Sequence, residues 1–269
     1  MTGALYMMPL ESILTADLFA PLNDELVALL RGLSAEEWSA PTVAGAWTVK
    51  DVAAHLLDTT LRRLSMHRDG HEPPPREFTS IGALVNDLNA EGVAYARRLS
   101  TSMLIDMHAR YGAQLAEFFT SLEPDAPAKW SVSWAGEDES RMWFDVAREL
   151  TEKWHHQQQI RDATGRLPLY ERYLAPVIDT FLRALPFTYR DVEAPEGTTI
   201  VVRVDDAAWS LVREGGWRLY AGSGPATTTV TLTGDVAWRL FTRQKIDPRA
   251  TIEGEERYAH PALHMVSII

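Results

Sequence analysis

The side chains with the clearest chemical potential lie in one stretch, Glu152 to Asp162, EKWHHQQQIRD. Glu152 and His156 stand four residues apart, about one helical turn, so in a helix both leave the same face and can grip one metal ion. A third ligand has to come from another segment, and His55 is the candidate. Two neutral imidazoles and one carboxylate leave open positions on a divalent ion, which is the arrangement catalytic zinc uses. The same set suits nickel or ferrous iron. By periodicity alone the commoner meaning of a Glu/His pair at this spacing is a solvated polar face, and a single helical histidine is more often a surface or capping residue. Convergence therefore requires two helices whose polar faces turn toward a shared pocket.

Both helices are legible. The first of the two ligand-bearing segments starts at Thr48, which with Asp51 has the spacing of a helix cap, and is expected to run to about His67. On it Val52, Ala53, Leu56, Leu57, Leu61 and Leu64 make the apolar side, with His55 on the other. The second runs from about Met142 to Thr164, stopped by Gly165 and Pro168. There Trp143, Val146, Ala147, Leu150 and Trp154 share a stripe, and Glu152, His156, Gln159 and Ala163 lie opposite.

Around these, apolar spacing predicts a helix over Leu10 to Leu33, interrupted or bent near Pro21, then a loop from Ser34 to Trp47. Residues 80–122 carry one long helical pattern or two, broken near Ser100. Residues 123–140 hold a KWSVSW core read as a short extended excursion, and Leu169 to Leu185 reads as a further helix. The prolines and glycine of 186–197 mark the domain boundary. Beyond it TTIVVRV, AWSLVRE, GWRLYAG and TTTVTLTG read as meandering strands separated by turn residues. Helical patterns return at 235–242 and 261–269, with ATIEG between them as a last strand.

Composition narrows the partners. A net charge of −11 argues against a nucleic-acid surface, which needs clustered Lys and Arg. No run approaches the roughly 18 apolar residues of a membrane span, and the N-terminus lacks a basic lead, so the expected setting is cytoplasmic. Cysteine is absent, which excludes disulfides, thiolate ligands and cysteine nucleophiles. Any thiol in the chemistry is an external one, and a metal is held by nitrogen and oxygen.

GAWTVKDVAAHLLDTTLRRL at 45–64 and ELTEKWHHQQQIRDATG at 149–165 together resemble the N-terminal metal-binding domain of mycothiol-dependent maleylpyruvate isomerases, within the DinB-like four-helix-bundle superfamily. TVTLTGDVAWRLFTR and ATIEGEERYAHPALHMVSII resemble the small sterol-carrier-like α/β domain that often follows it. The resemblance implies an α+β, two-domain chain: a metal-binding bundle over residues 1–188 and a small α+β domain over 196–269. It places the metal ligands on His55, Glu152 and His156. Many relatives carry aspartate three residues after the ligand histidine, where this chain has Gln159, a pocket residue beside the ligands. The family's substrate-orienting arginine comes from the C-terminal domain, where Arg239, Arg243 and Arg249 are candidates and Arg243 is the choice. Arg62, Arg63 and Arg161 lie on the ligand-bearing helices.

The function so implied is a metal-dependent isomerase or thiol transferase, using zinc or another divalent ion, with mycothiol as cosubstrate and a small electrophilic, acidic substrate. In the isomerase reaction, thiol addition turns a conjugated double bond into a single bond that can rotate before the thiol leaves. Two alternatives come from other classes: a metal-dependent hydrolase or lyase that activates water, and a non-catalytic protein that binds a small molecule.

Overall fold

The structure is a computed structural model and describes residues 7–268. Its backbone packs as two units, each discontinuous in sequence. Residues 14–129 and 141–173 form a helical unit, while 7–13, 130–140 and 174–268 form a second unit around a sheet.

The helical unit contains α1 (Phe19–Arg31), α2 (Ala35–Trp38), α3 (Val49–Arg63), α4 (Ile81–Ala96), α5 (Thr101–Thr120) and α6 (Met142–Ala163). Helix α1 packs on α5 and α6, and α3 packs on α4, α5 and α6. The first helix begins later than its apolar spacing predicts, since Leu14 is 70% exposed. Pro21 does not interrupt it. It sits in the first turn, where an N–H would have no intrahelical partner. Helix α2 occupies a stretch expected to be loop; Ser34 and Glu37 cap each other's backbone, a spacing visible in the sequence.

The start of α3 is fixed as its sequence predicts. The Thr48 hydroxyl accepts from the Asp51 N–H, and the Asp51 carboxylate accepts from the Thr48 N–H at 3.1 Å. Arg97 forks onto the same carboxylate at 2.7 and 3.1 Å. Lys50 Nζ donates to the Arg97 and Leu99 carbonyls that end α4. After Arg63 the helix widens into a π-turn over Leu64–Arg68. The expected break near Ser100 is real, with Ser80 and Ser100 capping α4 and α5. Leu30, Val52, Leu56, Leu104, Leu150, Trp154 and Ile160 are almost wholly buried, each large aliphatic side chain contributing roughly 1.5–3 kcal/mol by leaving water.

The sheet has six strands in the order β1-β4-β3-β2-β5-β6: β1 (Met8–Pro9), β2 (Thr199–Val204), β3 (Ala207–Arg213), β4 (Trp217–Ala221), β5 (Thr228–Leu232) and β6 (Thr251–Gly254). All neighbours are antiparallel except β2 and β5. Ile200, Val201 and Val202 are buried in succession, so both faces of this central strand are covered. The four strands over 199–232 and the ATIEG strand lie where the sequence reading puts them, but only β2, β3 and β4 meander; β5 crosses back to pair parallel with β2, and β1 was not anticipated.

Helices α7 (Leu174–Leu182), α8 (Leu185–Thr188), α9 (Gly234–Phe241) and α10 (His260–Leu263) pack in this unit. Helix α7 starts later than expected because residues before it are held elsewhere: the Trp154 indole donates to the Leu169 carbonyl at 2.8 Å, and the Leu169 N–H donates to Gln158 at 3.0 Å. The last helix stops after four residues. Ser267 draws the chain away, its N–H donating to Phe241 and its hydroxyl to Phe181. The KWSVSW segment is not extended; it makes a 3-10 turn at Ser133–Ala135, closed by Gly136 at φ 80° against the Phe187 ring. The architecture is thus α+β with a helical bundle and a mixed sheet, as expected. Among the described residues no helix is long and apolar enough to cross a membrane.

Candidate metal centre

The bundle brings together the three residues chosen from the sequence. One potential ligand atom from each of His55, Glu152 and His156 lies within 4.8 Å of the other two. The His55 and His156 rings are 4.6 Å apart, centroid to centroid, nearly edge to face. His156 Nε2 and Glu152 Oε2 are 3.6 Å apart. That is beyond hydrogen-bond reach but close to the ~3.4 Å edge of a tetrahedron with bonds of about 2.1 Å.

Helix α6 is buried nearly all round, so its polar face is an interior wall and not a solvated surface. His156 is 9% exposed and Gln159 5%, and the Glu152 side chain keeps 25% of its surface. His55, on α3, is 4% exposed. Burial pushes its pKa down to about 3, with the Lys153 and Arg62 charges adding to the effect. Burial lowers the pKa of His156 as well, followed by the neighbouring His155 and His55 rings. Both imidazoles are therefore neutral near pH 7, the form that offers a lone pair.

Their orientation is set by partners. His156 Nδ1–H donates to Gln159 Oε1 at 2.8 Å, one helical turn on, which leaves Nε2 as the lone-pair nitrogen toward Glu152. This is the type of partner that fixes the tautomer of a ligand histidine. His55 Nδ1 is buried and has no hydrogen-bond partner. An unsatisfied imidazole nitrogen beside a second imidazole and a carboxylate fits a divalent ion. The donor set is nitrogen and oxygen throughout, as the absence of cysteine requires. Trp47, just before the Thr48 cap, walls the pair of rings, its centroid 5.0 Å from His55 and 6.3 Å from His156. The adjacent His155 ring lies 4.0 Å from His156, tilted by 36°, but turns its Nδ1 to the Thr151 carbonyl.

Two supports escaped the sequence reading. Lys153 is buried and ties α6 to α3: Nζ donates to the Leu56 carbonyl and the Thr59 and Thr60 hydroxyls at 2.6–2.7 Å. The clamp begins one residue from a ligand on each helix, Lys153 following Glu152 and Leu56 following His55. Burial lowers the Lys153 pKa to about 8, partly offset by Glu149. The signal was its position at helical spacing with Val146, Leu150 and Gln157, inside the apolar stripe. Arg63 is 3% exposed, although arginine is almost never fully buried unless paired. It forks onto Asp145 at 2.6 and 3.0 Å and reaches Glu149 at 2.9 Å. Arg148 joins the same carboxylates.

The other arginines divide. Arg62 binds Asp58 and Asn89, and Arg161 binds the Leu167 carbonyl and Glu25. In the sheet unit Arg239 pairs with Asp235 and lies over the Trp238 ring at 4.4 Å. Arg243 and Arg249 are exposed and have positive φ, 61° and 37°.

Residues 19–161 match the family model of the mycothiol maleylpyruvate isomerase N-terminal domain. That span includes His55, Glu152, His156 and Gln159. Among solved structures, the chain is similar to a crystal structure of the mycothiol-dependent maleylpyruvate isomerase at 17% identity, with 92% of this chain and 95% of that one covered and a TM-score of 0.56. It is also similar to a histidine-to-alanine mutant of that isomerase at 16% identity, with 87% and 88% covered and a TM-score of 0.53. At these identities the structural likeness establishes the fold. No curated protein matches the chain significantly.

Proposed function

The chain belongs to the family of the mycothiol maleylpyruvate isomerase N-terminal domain, and from that premise we propose that it is a metal-dependent isomerase or thiol transferase that uses mycothiol on a small, acidic electrophile. The observation that carries the metal part is the convergence of His55, Glu152 and His156. The proposed metal is zinc, which takes three such ligands and keeps a position open. When bound, a divalent ion supplies Lewis acidity that lowers the pKa of a thiol or water at its open position.

The protein's own contribution is orientation. Gln159 holds the His156 proton on Nδ1, and Lys153 holds the two ligand-bearing helices together beside the site. Trp47 covers one side of the rings and limits water there. With no cysteine in the chain, a thiol nucleophile arrives from solution. Arg243 is our proposed anchor for an acidic substrate. What supports that role is an exposed arginine that holds a left-handed backbone at the end of α9, where glycine is the unstrained choice. We assign the metal-binding fold to the helical unit and the small α+β domain to the sheet unit, and place the protein in the cytoplasm.

The test is turnover of maleylpyruvate and a panel of small electrophiles by zinc-loaded protein, with and without mycothiol. The proposal expects turnover only when metal and thiol are both present. Product formation that ignores the thiol would move the assignment to a water-activating hydrolase or lyase. No turnover by a protein that holds no metal would favour a binding protein.

A further inference from the structure

A second polar site lies in the middle of the bundle, away from the three proposed ligands. A cavity of about 30 Å³ opens between α1, α3, α5 and α6, and none of His55, Glu152 and His156 lines it. Its apolar lining comes mainly from leucines. Against them stand five polar residues: Asn23, Thr60, His108, Lys153 and Gln157. Gln157 is wholly buried, and neither its amide oxygen nor its amide nitrogen has a hydrogen-bond partner. Burying an amide with nothing to bond costs roughly 1–3 kcal/mol, and native proteins seldom leave such a group without a partner.

The lining identifies what the site accepts. It contains no carboxylate, so it offers a cation no counter-charge. It also has no free positive donor for an anion. The three protons of the Lys153 ammonium go to Leu56, Thr59 and Thr60. His108 is neutral near pH 7, because burial brings its pKa down to about 4 against the opposing effect of the Ala53 carbonyl, and one ring nitrogen is engaged by that carbonyl at 2.9 Å. The ligand is therefore neutral, small, and both donor and acceptor.

We propose that this cavity is an internal hydration site holding two ordered water molecules, which satisfy the Gln157 amide and join α6 to the other helices of the bundle. The volume agrees with the number, since one water needs at least about 10–15 Å³ of such space. Asn23, half-buried, stands at the rim; its amide lies against Gly112, where any side chain would displace it. The inference is independent of the reaction assigned above, because the hydrating groups and the metal ligands are different residues.

The test is a high-resolution crystal structure of the wild-type protein beside one of Gln157→Leu. The wild type is expected to show two density peaks in the cavity, at least one about 2.7–3.2 Å from the Gln157 amide, and the variant to show one or none. A wild-type cavity without density, or a Gln157 amide bonded to protein atoms, overturns the proposal. Should the variant not fold, the wild-type density decides alone: two peaks in the cavity, one within hydrogen-bond distance of the Gln157 amide, support the site, and an empty cavity refutes it.

Discussion

Replacing Gln159 by leucine tests whether this side chain sets the chemistry of His156. The bond from His156 Nδ1–H to Gln159 Oε1 is 2.8 Å long, between side chains that are 9% and 5% exposed, so water does not replace it readily. In Gln159→Leu the tautomer that presents a lone pair on Nε2 carries a buried N–H without an acceptor, which costs about 1–3 kcal/mol. The ring can avoid that cost by moving its proton to Nε2, toward Glu152 Oε2 at 3.6 Å. Doing so removes the ligand lone pair. Metal binding is expected to weaken about 10–100-fold, equivalent to about 1.4–2.7 kcal/mol. Competition titration of metal-free protein with cobalt(II) against a chelator reads the affinity, and far-ultraviolet circular dichroism checks the helices. An affinity within about twofold of wild type, or roughly 0.4 kcal/mol, in a variant of unchanged helicity would refute the reasoning.

Further expectations concern the bundle core and the end of α9. Asp145→Asn leaves the buried Arg63 and Arg148 guanidinium groups short of charge and should cost about 3–5 kcal/mol in urea unfolding; a loss below about 1 kcal/mol, as for a surface pair, would contradict the packing described. His108 carries a pH signature. Its pKa is about 4 in the folded protein against 6.5 as the ordinary value, so the unfolded chain binds more protons between these limits. Its contribution is complete above pH 6.5 and is lost as pH falls toward 4, by about 3 kcal/mol in all. Metal-free His108→Gln should lose that much less stability than wild type over the same interval, and parallel pH curves would count against it. Arg243→Gly should raise stability by about 1 kcal/mol by relieving the left-handed backbone, while raising KM for an acidic substrate. An unchanged KM would remove Arg243 from the proposed site.

What could be read from the sequence depended on whether a signal was local. Thr48 and Asp51 announce the start of α3 because a cap is made within four residues. The strands over 199–232 are rich in valine, threonine and aromatic residues and end in turn residues, and they appear where expected. His55 and the Glu152/His156 pair were legible as two separate half-signals, and the resemblance joined them. Burial was harder to foresee. Periodicity marked one face of α6 as polar, but α3, α1 and its own following loop cover that helix almost completely, so Gln157 and Gln158 are interior residues. Arg63 and Asp145 are separated by 82 residues; nothing in either neighbourhood reports the other. The short β1 strand is equally nonlocal, since two residues gain their conformation only by pairing with β4.

The central claim, that His55, Glu152 and His156 hold one divalent ion, is tested most directly by elemental analysis of protein purified without added metal. Wild type, His55→Ala and Glu152→Ala should be compared in one preparation, with folding verified for each. The account predicts close to one zinc or other divalent ion per chain in the wild type and a near-complete loss in both variants. Equal metal content in all three, whether high or negligible, would contradict it.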